Sequence, residues 1–128
     1  MRLLLDTNIL LWFLGEPDRL GSEARNQIRS RENQVLFSAA SIWEIAIKAA
    51  LGRADFRVSP DAIFDASIQS GFVELPVRSA AAMLVATLPL HHRDPFDRLL
   101  NAQAMTEPAR LYTADAGLEI YSDLVVRL

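Results

Sequence analysis

Apolar and polar positions fall in blocks along this chain, and the blocks change period as they go. Arg2 to Leu5 is a short apolar run ended by Asp6, the pattern of a central strand buried on both faces. Thr7 to Leu14 is almost entirely apolar and predicts a helix buried nearly all round, stopped by Gly15 with Pro17 in the loop beyond. Trp12 and Phe13 lie on opposite sides of such a helix; both read as core, with one in position to reach a second chain. Ser22 reads as the N-cap of a helix to about Arg31, with Leu20, Ala24 and Ile28 inward and Arg25, Arg29 and Arg31 on a solvated face.

Val35 to Phe37 predicts a second strand, and Ser38 to Ser41 leads into the clearest helix of the chain, Ile42 to Leu51, closed by Gly52. A further helix has Ser59 as N-cap, Pro60 at its first position and Gly71 as its stop. Phe72 to Leu75 predicts a third strand, Ser79 to Leu88 an Ala-rich helix, and Leu90 to Arg93 a loop. Asp94-Pro95-Phe96-Asp97 opens a helix to about Thr106, followed by a strand at Arg110 to Thr113, a short helix at Asp115 to Tyr121 and a strand at Leu124 to Val126. Strands alternating with helices imply a parallel sheet covered on both sides.

The 128 residues suffice for one domain with a real core, so residues 1–128 are expected to form a single unit. The absence of cysteine excludes disulfides, zinc-thiolate sites and a catalytic thiol, and is compatible with a reducing cytoplasm. The N-terminal run does not read as a signal peptide, because Asp6 interrupts it, and no run is long enough to span a membrane. A net charge of −3 disfavours indiscriminate nucleic-acid binding but leaves room for a nucleic-acid enzyme, since bound divalent metal reverses the sign of an acidic pocket. Of the 13 basic residues all but Lys48 are arginine, which suits bidentate phosphate contacts and equally reflects genome composition.

Four acids fall at equivalent places, just past a strand or in the first turn of a helix: Asp6, Glu44, Asp97 and Asp115. Each has a plain structural explanation. Asp6 and Asp115 cap helices, Ser41-x-x-Glu44 is a capping box, and Glu44 precedes Lys48 by the favourable four residues. Asp94-Pro95-Phe96-Asp97 is a cap, a first-turn proline and an acid at the third position. Yet the strand C-termini of a parallel sheet share one edge, so all four carboxylates are expected to meet there. They would raise one another's pKa, a cost that a divalent cation removes. Carboxylates without Cys or an obligatory His suit hard ions, Mg²⁺ or Mn²⁺, and such ions serve phosphodiester hydrolysis; spacing alone does not single that chemistry out.

The segments Leu3-Leu4-Leu5-Asp6-Thr7-Asn8, Ser38 to Lys48 with Ile42-Trp43-Glu44-Ile45 at its centre, His92-Arg93-Asp94-Pro95-Phe96-Asp97-Arg98-Leu99-Leu100 with Ala102-Gln103-Ala104, and Leu111-Tyr112-Thr113-Ala114-Asp115 resemble, in order and separation, those of PIN-domain ribonucleases of the VapC type. These are toxins of type II toxin–antitoxin pairs. The resemblance spans nearly the whole chain. It implies a three-layer α/β/α sandwich with a parallel five-stranded sheet in the order 3-2-1-4-5, a homodimer, an RNA substrate cut by a metal-activated water, and a protein antitoxin whose tail lies in a groove beside the site.

By the same resemblance Asp6, Glu44, Asp97 and Asp115 are the metal-binding catalytic acids, with Mg²⁺ or Mn²⁺ as cofactor. Thr7, Asn8 and Thr113 match supporting polar positions, and Asp94 is a helix cap placed to join the site. Arg93 and Arg98 are candidate phosphate contacts on RNA. Trp12, Trp43, Ile47 and the Ser59 to Gly71 helix are candidate groove residues. His91 and His92 read as loop or RNA-contact residues rather than catalysts. Asn101 stands where the family pattern has an aliphatic residue, and Pro108 where it has glycine. Two other readings compete: a PIN-fold binding module without catalysis, and a phosphotransferase using Asp6 as nucleophile in the manner of haloacid dehalogenases. The latter wants a second Asp two positions on, where Asn8 stands.

Overall fold

The computed structural model describes residues 1–53, 56–89 and 94–128. Strand β1 (Arg2–Leu5) runs into helix α1 (Thr7–Gly15), a 3₁₀ turn at Pro17–Arg19 and α2 (Ser22–Arg29). β2 (Gln34–Ser38), α3 (Ala39–Ala50), α4 (Pro60–Gln69) and β3 (Val73–Leu75) follow. α5 (Ser79–Leu84) continues into a 3₁₀ turn at Val85–Thr87, and the chain ends with α6 (Pro95–Thr106), β4 (Arg110–Thr113), a 3₁₀ helix at Ala116–Tyr121 and β5 (Val125–Arg127).

The five strands are parallel and lie in the order β3-β2-β1-β4-β5, as expected. β1 is central, with Leu3 opposite Val35 on one side and Leu4 opposite Leu111 on the other. Successive side chains of a strand point to opposite faces, which explains why an unbroken leucine run serves two cores at once. Leu3 and Leu5 pack with Val35, Phe37 and Tyr112 against Ile9 and Leu10 of α1 and Ala24 and Ile28 of α2. Leu4 packs with Leu36, Leu75 and Leu111 against Leu100 and Ala104 of α6 and Leu118 of the 3₁₀ helix. Helices thus cover both faces and the architecture is the three-layer sandwich. Because the strands are parallel their C-terminal ends share one sheet edge, so the residues after β1, β2 and β4 gather there.

Local chemistry shifts several boundaries. Gly21, not Ser22, is the N-cap of α2, and the helix stops at Arg29. Ser38, not Ser41, caps α3: its Oγ accepts from Ala40 N at 3.0 Å, and the helix begins at Ala39. The Ser41–Glu44 capping box is therefore not formed, since both residues already lie inside the helix. Gly52 and Gly71 follow α3 and α4 with φ of +68° and +84°, the left-handed conformation that lets a chain leave a helix without Cβ strain. Gly15, by contrast, is the last residue of α1 with no positive φ. Among the described residues no helix is long and apolar enough to cross a membrane.

Candidate active site

Each acid reaches the C-terminal edge of the sheet through its own local reason. Asp6 ends β1, its backbone N–H donating to Tyr112 O at 3.0 Å, and its Oδ1 accepts from Ile9 N at 2.9 Å as the N-cap of α1. Asp115 follows β4 and caps the 3₁₀ helix, accepting from Gly117 N at 2.8 Å. Asp94 caps α6, accepting from Phe96 N at 2.9 Å, and thereby sets Asp97 in the first turn. Glu44 stands in the second turn of α3. The plain helix-cap explanation thus holds for Asp6, Asp94 and Asp115. It does not compete with convergence: Asp6, Glu44, Asp94, Asp97 and Asp115 all line one cavity of about 220 Å³, together with Thr7, Asn8, Ala114 and Lys48.

Two hydroxyls and an ammonium hold Asp6 and Glu44. Thr7 Oγ1 donates to Glu44 Oε1 at 2.7 Å and lies 2.9 Å from Ser41 Oγ. A hydroxyl has one proton, so Ser41 donates to Thr7 in turn. Thr113, wholly buried, donates to the Asp6 carboxylate and accepts from Asp115 N at 3.0 Å, tying two of the acids together. Lys48 Nζ is 2.8 Å from Glu44 Oε2. Asp6 is only 4% exposed and Glu44 7%. Burial pushes the Asp6 carboxyl up from its ordinary 3.8 to about 6, the charges of Glu44 and Asp115 push the same way, and the bonds from Thr113 and Ile9 N pull it back in part.

Oxygen donors of this type and number fit a hard divalent ion. Among the described residues no three of them already form a closed cage for one, and the carboxylates of Asp6, Glu44 and Asp115 accept from protein donors.

Lys48 is the lining residue whose place the sequence concealed. The four-residue spacing from Glu44 predicts the ion pair, but the pair reads as a solvated helix surface until the fold turns Glu44 inward. Arg98, a candidate phosphate contact, instead donates through Nη2 to Val85 O at 3.1 Å and Leu88 O at 3.0 Å, closing the turn after α5. Arg93, His91 and His92 lie outside the described residues.

The candidate groove residues separate into two places. Trp12 lines a cavity of about 490 Å³ with Leu11 and Leu14 of α1, Phe56, and Ala62 and Ile63 of α4. Arg19 lies over the Trp12 ring, 4.1 Å from its centroid. Trp43 lines a different, apolar hollow of about 250 Å³ with Ala82, Val85, Phe96 and Leu99, its ring meeting Phe96 edge-on at 5.3 Å. Ile47, half-exposed, lines neither.

A family model described as the PIN domain matches residues 3–124. This chain belongs to the PIN domain family. No curated protein matches it. Two solved structures share the PIN architecture: VapBC2 from Rickettsia felis bound to a promoter DNA fragment, at a TM-score of 0.71 and 14% identity over 100% of this chain and 98% of that one, and FitAcB from Neisseria gonorrhoeae, at 0.60 and 20% identity over 98% and 96%. At those identities the likeness is one of fold. The family match sets this PIN domain apart from the haloacid-dehalogenase reading of Asp6.

Proposed function

We propose that this PIN domain is a Mg²⁺- or Mn²⁺-dependent endoribonuclease and the toxin of a type II toxin–antitoxin pair. The observation that carries the reading is the convergence of Asp6, Glu44, Asp94, Asp97 and Asp115 on one small cavity at the sheet edge where open α/β folds do their chemistry. Asp6 carries the cost of the site: burial raises its carboxyl, and the charges of Glu44 and Asp115 add to it. A fold that accepts such a cost at one spot is built for a compensating cation. When bound, the divalent ion supplies the nucleophile at neutral pH and the positive charge that a phosphodiester needs in its transition state. Asp6, Asp97 and Asp115 are the residues to hold it, with Glu44, the fourth acid of the site, beside them. Thr7 and Thr113 orient Glu44 and Asp6, and Asn8, exposed at the cavity rim, is placed to meet the nucleic-acid backbone.

The antitoxin reading draws on both VapBC2 and FitAcB being toxin–antitoxin structures and on the groove between α1 and α4. That groove offers Trp12, Phe56 and Ile63 to an apolar segment. A homodimer would use the α3–α5–α6 face, where Trp43 is 61% exposed and Met83 67%.

The deciding experiment uses chain purified free of any partner. RNA cleavage is measured with Mg²⁺ or Mn²⁺ for wild type and Asp6→Ala, with a DNA of the same sequence beside it. Metal-dependent RNA cleavage lost in Asp6→Ala supports the reading. Equal cleavage by both proteins, or cleavage unaffected by EDTA, sinks it. A folded wild type that cuts nothing but still binds a partner peptide favours the binding-module alternative.

A further inference from the structure

We infer that the ammonium of Lys48 stands in the second cation position of the acidic cavity, so that the site takes a single divalent ion and Glu44 serves the lysine rather than a second ion. The inference rests on the metal-dependent reading above and concerns how many ions that site accepts. Both oxygens of Glu44 have protein partners: Oε1 accepts from Thr7 at 2.7 Å and Oε2 from Lys48 at 2.8 Å. Glu44 is only 7% exposed, whereas the Lys48 side chain is 45% exposed, so water reaches the pair from the lysine side alone. Lys48 is also fixed from its other side, its Nζ standing 6.0 Å from the centroid of the Phe56 ring, at the edge of cation–π range. It lines the same cavity as the five acids.

A divalent ion shared by Glu44 would have to take Oε2 from the ammonium or sit beside it. The first breaks a charge-assisted hydrogen bond to a buried acceptor, and the second sets like charges together. Asp6, Asp97 and Asp115, which line the same cavity, are the acids for one ion. An ammonium is a compact point charge with three donors on a flexible stem. Beside the ion it supplies positive charge to a non-bridging phosphate oxygen without needing a metal of its own. In this arrangement Lys48 does in one covalent chain what a second ion does in a two-metal site.

The test is the number of Mn²⁺ ions bound per chain, read by calorimetry and by the paramagnetic resonance of free Mn²⁺, on the full metal-free chain. Wild type is expected to take one ion. Lys48→Met, which frees Glu44 Oε2, is expected to take two; Lys48→Arg, which keeps the charge, stays at one. Glu44→Gln also keeps one ion, because Glu44 is not a ligand of that ion. Two ions on wild type, or a folded Lys48→Met chain that still takes one, overturn the inference and leave the metal-dependent reading standing. No Mn²⁺ on wild type overturns both. If Lys48→Met fails to fold, as judged by circular dichroism, the wild-type and Glu44→Gln counts still decide the question.

Discussion

Thr7 donates its hydroxyl proton to Glu44 Oε1 across 2.7 Å, joining the first turn of α1 to the second turn of α3. Thr7 is the neighbour of Asp6, so this bond fixes the spacing of two acids that are 38 positions apart in sequence. Thr7→Val keeps the branched shape and removes the proton. It leaves a buried carboxylate oxygen without its donor, for an expected loss of about 1–3 kcal/mol in urea unfolding. RNA cleavage falls with it. Thr7→Ser restores most of both, which separates the hydroxyl from the packing.

Asp6 makes the metal-free protein sensitive to pH in a defined direction. Its carboxyl titrates near 6 in the fold against an ordinary 3.8, because burial disfavours the charged form. Between those values the folded chain keeps a proton that the unfolded chain has released. This contribution to stability is therefore complete below about pH 4 and is lost as pH rises through 6, amounting to about 3 kcal/mol. Asp6→Asn keeps an oxygen for Ile9 N and cannot ionise. Without metal it is expected to be more stable than wild type at pH 8 and equal to it near pH 4, by thermal unfolding at both values. Saturating Mn²⁺ raises the wild-type melting temperature at pH 8 and leaves Asp6→Asn nearly unmoved.

Thr113 sets where that titration falls. Its bond to Asp6 pulls the carboxyl down, against burial. Thr113→Val removes the pull and pushes the Asp6 pKa further up. The acidic limb of the pH profile of RNA cleavage is then expected to move to higher pH, while the rate at high pH is largely recovered. A uniform loss at every pH would assign Thr113 a packing role only.

How far the sequence discloses this molecule depends on which forces act locally. The strand order and the sandwich are legible because block apolar runs such as Leu3-Leu4-Leu5 have one stable home, a strand covered on both faces. The Asp94 and Asp6 caps are equally local. The start of α3 is not legible in the sequence, because Ser38 and Ser41 are both good caps by residue type. Ser38 lies at the end of β2, where its Oγ also donates to Gln103 Oε1 at 2.6 Å, a partner 65 positions away. Lys48 and Arg98 were hidden for the same reason: whether a cation meets a carboxylate, a phosphate or a carbonyl is decided by tertiary neighbours. Pro108, placed where the family pattern has glycine, sits in the turn between α6 and β4, and Ala109 N still reaches Ala104 O at 2.8 Å.

Trp43 tests the homodimer. Its ring is 61% exposed although Phe96 meets one edge, and Val85 and Leu99 complete an apolar hollow around it. Trp43→Glu sets a charge there without replacing the side chain of its neighbour Glu44, which is buried. Sedimentation is expected to show a dimer for wild type and a monomer for Trp43→Glu, with Mn²⁺ binding retained. A wild-type monomer at micromolar concentration would dismiss this face as a self-association surface.

Asn101 is a wholly buried amide in α6, where the sequence pattern calls for an aliphatic side chain. Among the described residues its Oδ1 has no hydrogen-bond partner, and its Nδ2 has only Met105 Sδ at 3.9 Å, a weak acceptor. An amide oxygen out of water and unpaired costs about 1–3 kcal/mol. Leucine has the same γ-branched skeleton with larger methyl groups and lacks the polar atoms, and its neighbours in α6, Leu100 and Ala104, already belong to the core. Asn101→Leu is therefore expected to raise stability by about 1–2 kcal/mol in urea unfolding, with cleavage unchanged. Asn101→Asp, which adds a charge at the same place, is expected to destabilise strongly at neutral pH and less at acid pH, where the carboxyl is neutral. If leucine instead destabilises the fold, the amide has a partner that the side chain alone does not reveal, and a buried water at Oδ1 is the species to look for by high-resolution diffraction.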